Sequence, residues 1–160
     1  MQKKQKNIII KGDKAKMKKL LIILLILFMI IIFSIYALFI SKKVQTNNLT
    51  NYNREYEKYS NKTIYGTELA TLINKVTNIN ENNKIEKNEK NHYIENEENS
   101  IKIEITMLLT EKTYPMEEIY NTDTAEFVKH FNLEKFKCTK IEYHKKTGKI
   151  SKMLFEQIEE

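Results

Sequence analysis

Residues 20–40 read LLIILLILFMIIIFSIYALFI, 21 positions without a charge, a proline or a glycine. Only Ser34 and Tyr36 carry a polar side-chain group. At about 1.5 Å per residue a helix of this length covers roughly 30 Å, the hydrocarbon thickness of a bilayer, and it satisfies its own backbone groups on the way. The stretch therefore predicts one transmembrane helix and a lipid bilayer as the partner of residues 20–40. A buried core helix is a poorer reading, because a domain this small cannot cover an apolar run of that length on all sides.

The flanks give the expected orientation. Residues 1–19 form a basic tail with eight lysines (Lys3, Lys4, Lys6, Lys11, Lys14, Lys16, Lys18, Lys19) against Asp13 alone, a charge of +7. Residues 41–160 carry 19 basic and 20 acidic side chains, a charge of −1, and the two parts make up the +6 of the whole chain. Lysines left of the span predict a cytoplasmic N-terminus and an extracytoplasmic domain at 41–160. The same split argues against a nucleic-acid partner, since the soluble part has no net positive field. The run is longer than a signal-peptide core, and no small–x–small site follows it, with Ile35 before Ala37 and Phe39 before Ser41. An uncleaved anchor at the cell membrane is the expectation. Within the run, Ser34 and Ala37 are its small residues, so a lipid-facing helix without a partner helix is favoured over a packed dimer.

Residues 41–160 suffice for one small domain. With Cys138 as the single cysteine, no intramolecular disulfide is available and packing alone must hold the core. Leu49, Tyr52, Tyr56 and Tyr59 recur at spacings of three and four and predict an amphipathic helix whose rings are buried. Gly66 reads as a break before a second helix at 67–79, with Thr67 as its cap, Glu68 in its first turn and Leu69, Leu72, Ile73 and Val76 on its apolar face. Residues 80–100 are an Asn/Glu/Lys tract read as a flexible polar loop, with His92-Tyr93-Ile94 as its sole strand-like piece. Ile101, Ile103, Ile105 and Met107 alternate with polar residues, which predicts a strand with one buried face. Tyr114-Pro115 ends it, Met116–Tyr120 reads as a helical turn, and Thr122 or Asp123 caps a helix bearing Ala125, Phe127, Val128 and Phe131. Phe136–Tyr143 and Ile150–Phe155 then form a β-hairpin, with Gly148 at the left-handed position of its loop. The expected class is α+β: a transmembrane helix, then two to three helices packed on an antiparallel sheet ending in a β-hairpin.

No constellation for catalysis emerges, and the expectation is no catalytic, cofactor-binding or metal site. His92, His130 and His144 stand in separate elements, without further ligands at metal spacing. Glu95, Glu97, Glu98, Glu117 and Glu118 fall in turns or the polar tract and match no calcium-loop spacing. Cys138 alternates with Phe136 on a strand and reads as a small buried apolar side chain.

The segment Tyr52-Asn53-Arg54-Glu55-Tyr56-Glu57-Lys58-Tyr59, followed by Tyr65-Gly66-Thr67-Glu68-Leu69-Ala70-Thr71-Leu72-Ile73-Asn74, resembles small single-span membrane proteins of clostridia and relatives. In these an aromatic-Asn-x-x-aromatic helix leads into a Gly-Ser/Thr-x-Val-x-x-Leu-Ile helix just outside the anchor. The resemblance covers about 30 residues and implies location and fold without a reaction. The Asn/Lys/Ile-rich composition fits a low-GC Gram-positive bacterium. The layout also resembles a type IV pilin or pseudopilin, without that family's glycine and Phe-Thr-Leu-x-Glu processing motif. The expected function is a non-catalytic interaction or assembly protein of the cell envelope. A pilin-like subunit of a secretion or pilus machine is one alternative, and an envelope enzyme with an unfamiliar site is another. The orientation is checked in intact cells, in a Cys138→Ser background, with a membrane-impermeant thiol reagent. Lys90→Cys should be labelled and Gln5→Cys spared; the opposite pattern refutes a cytoplasmic N-terminus.

Overall fold

The computed structural model describes the backbone of residues 2–159 and the side chains of residues 16–159. The lysine side chains at 3–14, which carry much of the charge asymmetry, lie outside the described residues. The chain divides into two compact units, Met1–Asn47 and Asn48–Glu160.

The described residues of the first unit are helical and form the greater part of helix α1 (Gln2–Glu57). Among the described residues this is the helix long and apolar enough to cross a membrane. None of the side chains at 20–40 is buried by the protein itself, Phe33 for example being 73% exposed. Such a surface is stable against hydrocarbon and costly against water, which removes the core-helix reading. The hydroxyl of Ser34 donates to the carbonyl of Ile30 at 2.8 Å, so it needs no outside partner.

The second unit is an α+β domain. The last turns of α1 lead through strand β1 (Thr63–Tyr65) into α2 (Gly66–Asn82). Strands β2 (Lys102–Thr106) and β3 (Thr113–Pro115), helices α3 (Met116–Thr122) and α4 (Thr124–Phe131), and the hairpin β4 (Lys135–Tyr143) and β5 (Ile150–Ile158) complete it. The strands form one sheet in the order β1-β4-β5-β2-β3. Three pairings are antiparallel, but β2 and β5 run parallel, Ile103 opposite Met153 and Ile105 opposite Phe155. The sheet is thus mixed, not wholly antiparallel as the local pattern suggests. The connection through α3, α4 and β4 is long enough to return the chain in the same direction, which a tight turn cannot do.

One face of the sheet is buried. Ile103, Ile105, Phe136, Cys138, Met153 and Phe155 on the strands share a single core with Tyr56, Tyr59, Leu69, Ile73 and Val76 from α1, the turn that follows it and α2. Tyr59 meets Phe155 edge-on with centroids 6.5 Å apart, and Tyr52 tilts onto Tyr56 at 5.6 Å. The tyrosine stripe is therefore core at Tyr56 and Tyr59, and half-buried at Tyr52. The opposite sheet face is polar, with Lys152 paired to Glu104 at 2.9 Å.

Several local expectations change. A short strand, β1, separates α1 from α2, so Gly66 is not a simple break between helices. Gly66 donates its N–H to the carbonyl of Glu134 at 3.0 Å, and a side-chain carbon added there would overlap the carbonyl oxygen of Phe131. Only glycine lets the start of α2 press on the end of α4. The cap of α2 is Tyr65, with no side-chain hydrogen bond, and Thr67 lies inside the first turn. Asp123 is the true cap of α4, accepting from the N–H of Ala125 at 2.8 Å. Helix α2 runs on to Asn82, and the tract beyond it bridges Lys87 to Tyr93 and buries the Tyr93 ring. Gly148 has φ +69, as the hairpin loop requires.

Tyr56 is fully buried, and its hydroxyl has no hydrogen-bond partner among the described residues. Two substitutions should then diverge. Tyr56→Ala removes a buried aromatic at a cost of about 3–5 kcal/mol and should unfold the domain or lower its Tm by many degrees. Tyr56→Phe relieves an unpaired buried hydroxyl and should leave Tm unchanged or raised. Thermal unfolding of the full chain in detergent checks both, and a stable Tyr56→Ala protein would overturn the core assignment.

Candidate functional site

An apolar recess of the domain opens where β2, β3, α3 and α4 meet, with a volume of about 440 Å³. Its apolar wall comes from Met107 and Tyr114 at the β2–β3 end, Ile119 on α3, and Phe127 and Phe131 on α4. The two phenylalanines stack with centroids 5.0 Å apart because i and i+4 positions share a helix face. Leu109, at the turn between β2 and β3, is 94% exposed beside this wall. Leu108 next to it and Leu133 just past α4 are also exposed. An apolar recess flanked by uncovered leucines is a surface that gains from being covered.

The charged lining is acidic, from Glu118, Asp123 and Glu126, with His130 and the neutral Thr110, Thr122 and Gln157 beside them. Glu126 is engaged by its own helix, with Lys129 at 3.5 Å and the His130 imidazole at 2.9 Å. Asp123 spends one oxygen on the α4 cap and holds φ +116, a backbone state that side-chain-bearing residues rarely adopt. The Glu118 carboxylate makes no hydrogen bond or ion pair among the described residues. The Asp123 cap, readable in the sequence, sets one corner of this groove, whereas Tyr114 and Pro115 are no break but part of β3, paired with Ile105 and Glu104 of β2. The groove itself lay hidden, because Met107, Ile119 and Phe131 belong to three elements whose adjacency is a tertiary fact.

The side chains weighed for chemistry do not assemble. The Nε2 of His144 lies 2.7 Å from the carbonyl oxygen of Ser100, His130 faces Glu126, and the thiol of Cys138 donates to the carbonyl of Lys140 at 3.8 Å. Glu117 is buried and accepts the N–H of Tyr93 at 3.0 Å. Glu95 pairs with Lys102 at 3.5 Å, and Glu98 pairs with Lys146, which holds the Glu98 carboxyl below its ordinary range. Among the described residues no three His, Cys, Asp or Glu side chains converge in a way that could hold a metal ion.

Sequence reasoning missed two structural residues. Asn80 is fully buried and grips both backbone groups of Ile101, accepting its N–H at 2.9 Å and donating to its carbonyl at 2.7 Å. Asn53 does the same for the hairpin, donating to Gly148 at 2.8 Å and accepting from Ile150 at 3.2 Å. A primary amide matches a peptide group donor for acceptor, so each seals backbone that the sheet leaves unpaired. In a chain this rich in asparagine, composition gave no signal for either.

Burial pushes the Cys138 thiol up to about 11, so at neutral pH it stays protonated and unreactive. Because the folded value is raised, this burial stabilises the fold below the ordinary thiol range and its contribution is lost as pH climbs towards 11. Iodoacetamide at pH 8 should leave Cys138 unmodified in the folded chain and alkylate it rapidly in urea. Mass spectrometry reads the difference, and fast labelling of the folded chain would reopen a nucleophilic role. Comparison with protein-family models, curated proteins and solved structures finds no match.

Proposed function

We propose that this chain is a membrane-anchored, non-catalytic interaction or assembly protein of the bacterial cell envelope. Residues 20–40 hold it in the cell membrane, the N-terminus is cytoplasmic, and residues 41–160 lie outside. The observation that carries this reading is the apolar groove between the β2–β3 turn and α3/α4, with Leu109 uncovered at its rim. Support comes also from the chemistry-bearing side chains, each tied to a partner of its own: His144 to Ser100, His130 to Glu126, Cys138 to Lys140. A pilin-like subunit is the second reading, favoured by an α1 that is apolar in residues 20–40 and contributes Tyr52 and Tyr56 to the domain at its C-terminal end. The kinship with small clostridial single-span proteins belongs to the same proposal and points to the same location.

A photo-crosslinking residue placed at Leu109 in cells should give a discrete adduct with another protein. The same residue at Lys84, an exposed position at the end of α2, should give none. No adduct at Leu109 refutes the interaction reading, and ladders of this chain with itself favour the pilin-like one.

A further inference from the structure

We infer that the groove takes an apolar peptide segment carrying a lysine or arginine beside its apolar side chains. The inference rests on the interaction reading and names the partner's chemistry. The groove offers an apolar wall of Ile119, Phe127 and Phe131 with Leu109 standing free at the rim. Among the described residues the charged groups lining it are the carboxylates of Glu118, Asp123 and Glu126, beside the His130 imidazole and without a lysine or arginine.

The three carboxylates are not equivalent. Glu126 is paired with Lys129 and lies within hydrogen-bond distance of the His130 imidazole, and Asp123 is partly spent on the helix cap. Glu118 is unengaged. An apolar ligand with an anionic head, such as a fatty acid or an acidic phospholipid, meets two uncompensated carboxylates there and is disfavoured. A peptide whose apolar residues fill the groove while a basic side chain reaches Glu118 gains both burial and charge pairing. Like charge brought against like charge costs an anionic ligand affinity, so the groove selects by repulsion as well as attraction.

The test uses the full chain in nanodiscs of zwitterionic phosphatidylcholine. The probe is a short fluorescent helical peptide with leucines at i, i+3, i+4 and i+7 and flanking lysines; its twin carries glutamates in their place. Empty nanodiscs give the lipid contribution to be subtracted. The lysine peptide should bind at least about tenfold more tightly than its twin. Leu109→Asp should abolish that binding, and Glu118→Lys should shrink or reverse the preference. Equal binding of the two peptides, binding unaffected by Leu109→Asp, or displacement of the peptide by a fluorescent fatty acid overturns the inference. If Leu109 crosslinks a protein while the peptides show no preference, the chemistry assigned here is wrong and the interaction reading survives. If Leu109 crosslinks nothing in cells, that reading itself falls.

Discussion

A sheet with one apolar face and no disulfide must be covered from that side, and this requirement organises the whole domain. The cover is supplied by the end of α1 with the turn after it and by α2, through Tyr56, Tyr59, Leu69, Ile73 and Val76. Everything else answers to that layer. Gly66 exists so that α2 can sit close to the end of α4, and Asn53 and Asn80 seal the backbone at two margins of the sheet. Ion pairs contribute little by comparison. Those between Lys146 and Glu98 or Lys140 and Glu142 lie in the open, where solvent and side-chain entropy offset most of their attraction.

Much of this was legible in the residues alone, where a signal is local and periodic. The apolar run, the alternation at Ile101–Met107, the left-handed Gly148 and the aromatic stripe each follow from a period of 2 or 3.6 or from one permitted backbone state. The features that escaped share one cause, namely that their meaning depends on elements distant in the chain. Three residues cannot display alternation, so β1 stayed invisible until β4 gave it a partner. Parallel pairing of β2 with β5 is a property of the path between them. Tyr93 sits in a tract whose polarity announces solvent, yet it belongs to the buried core, and Glu117 from α3 receives its backbone N–H.

The groove follows the same logic. Its phenylalanines were legible in the sequence as residues of one helix, α4. Phe127 does reach the core, packing 5.9 Å from Phe136. Phe131 and Ile119 stay half-covered, because the short β3 and its turn do not extend far enough to close over them. An apolar surface persists there through a shortage of chain, and the acidic residues around it limit what kind of molecule gains from covering it.

The place of β5 in the sheet has a consequence for how the domain forms. It is the central strand, the link between the pair β1–β4 and the pair β2–β3, and it follows every other strand in the sequence. During synthesis the earlier strands can make only two separate ribbons, each too small to be stable in water. Closing the sheet then joins residues about fifty positions apart across the β2–β5 ladder, a non-local step that folds slowly. The nascent domain therefore spends its emergence on the ribosome without a core. It becomes a folded body only once β5 has joined the two ribbons.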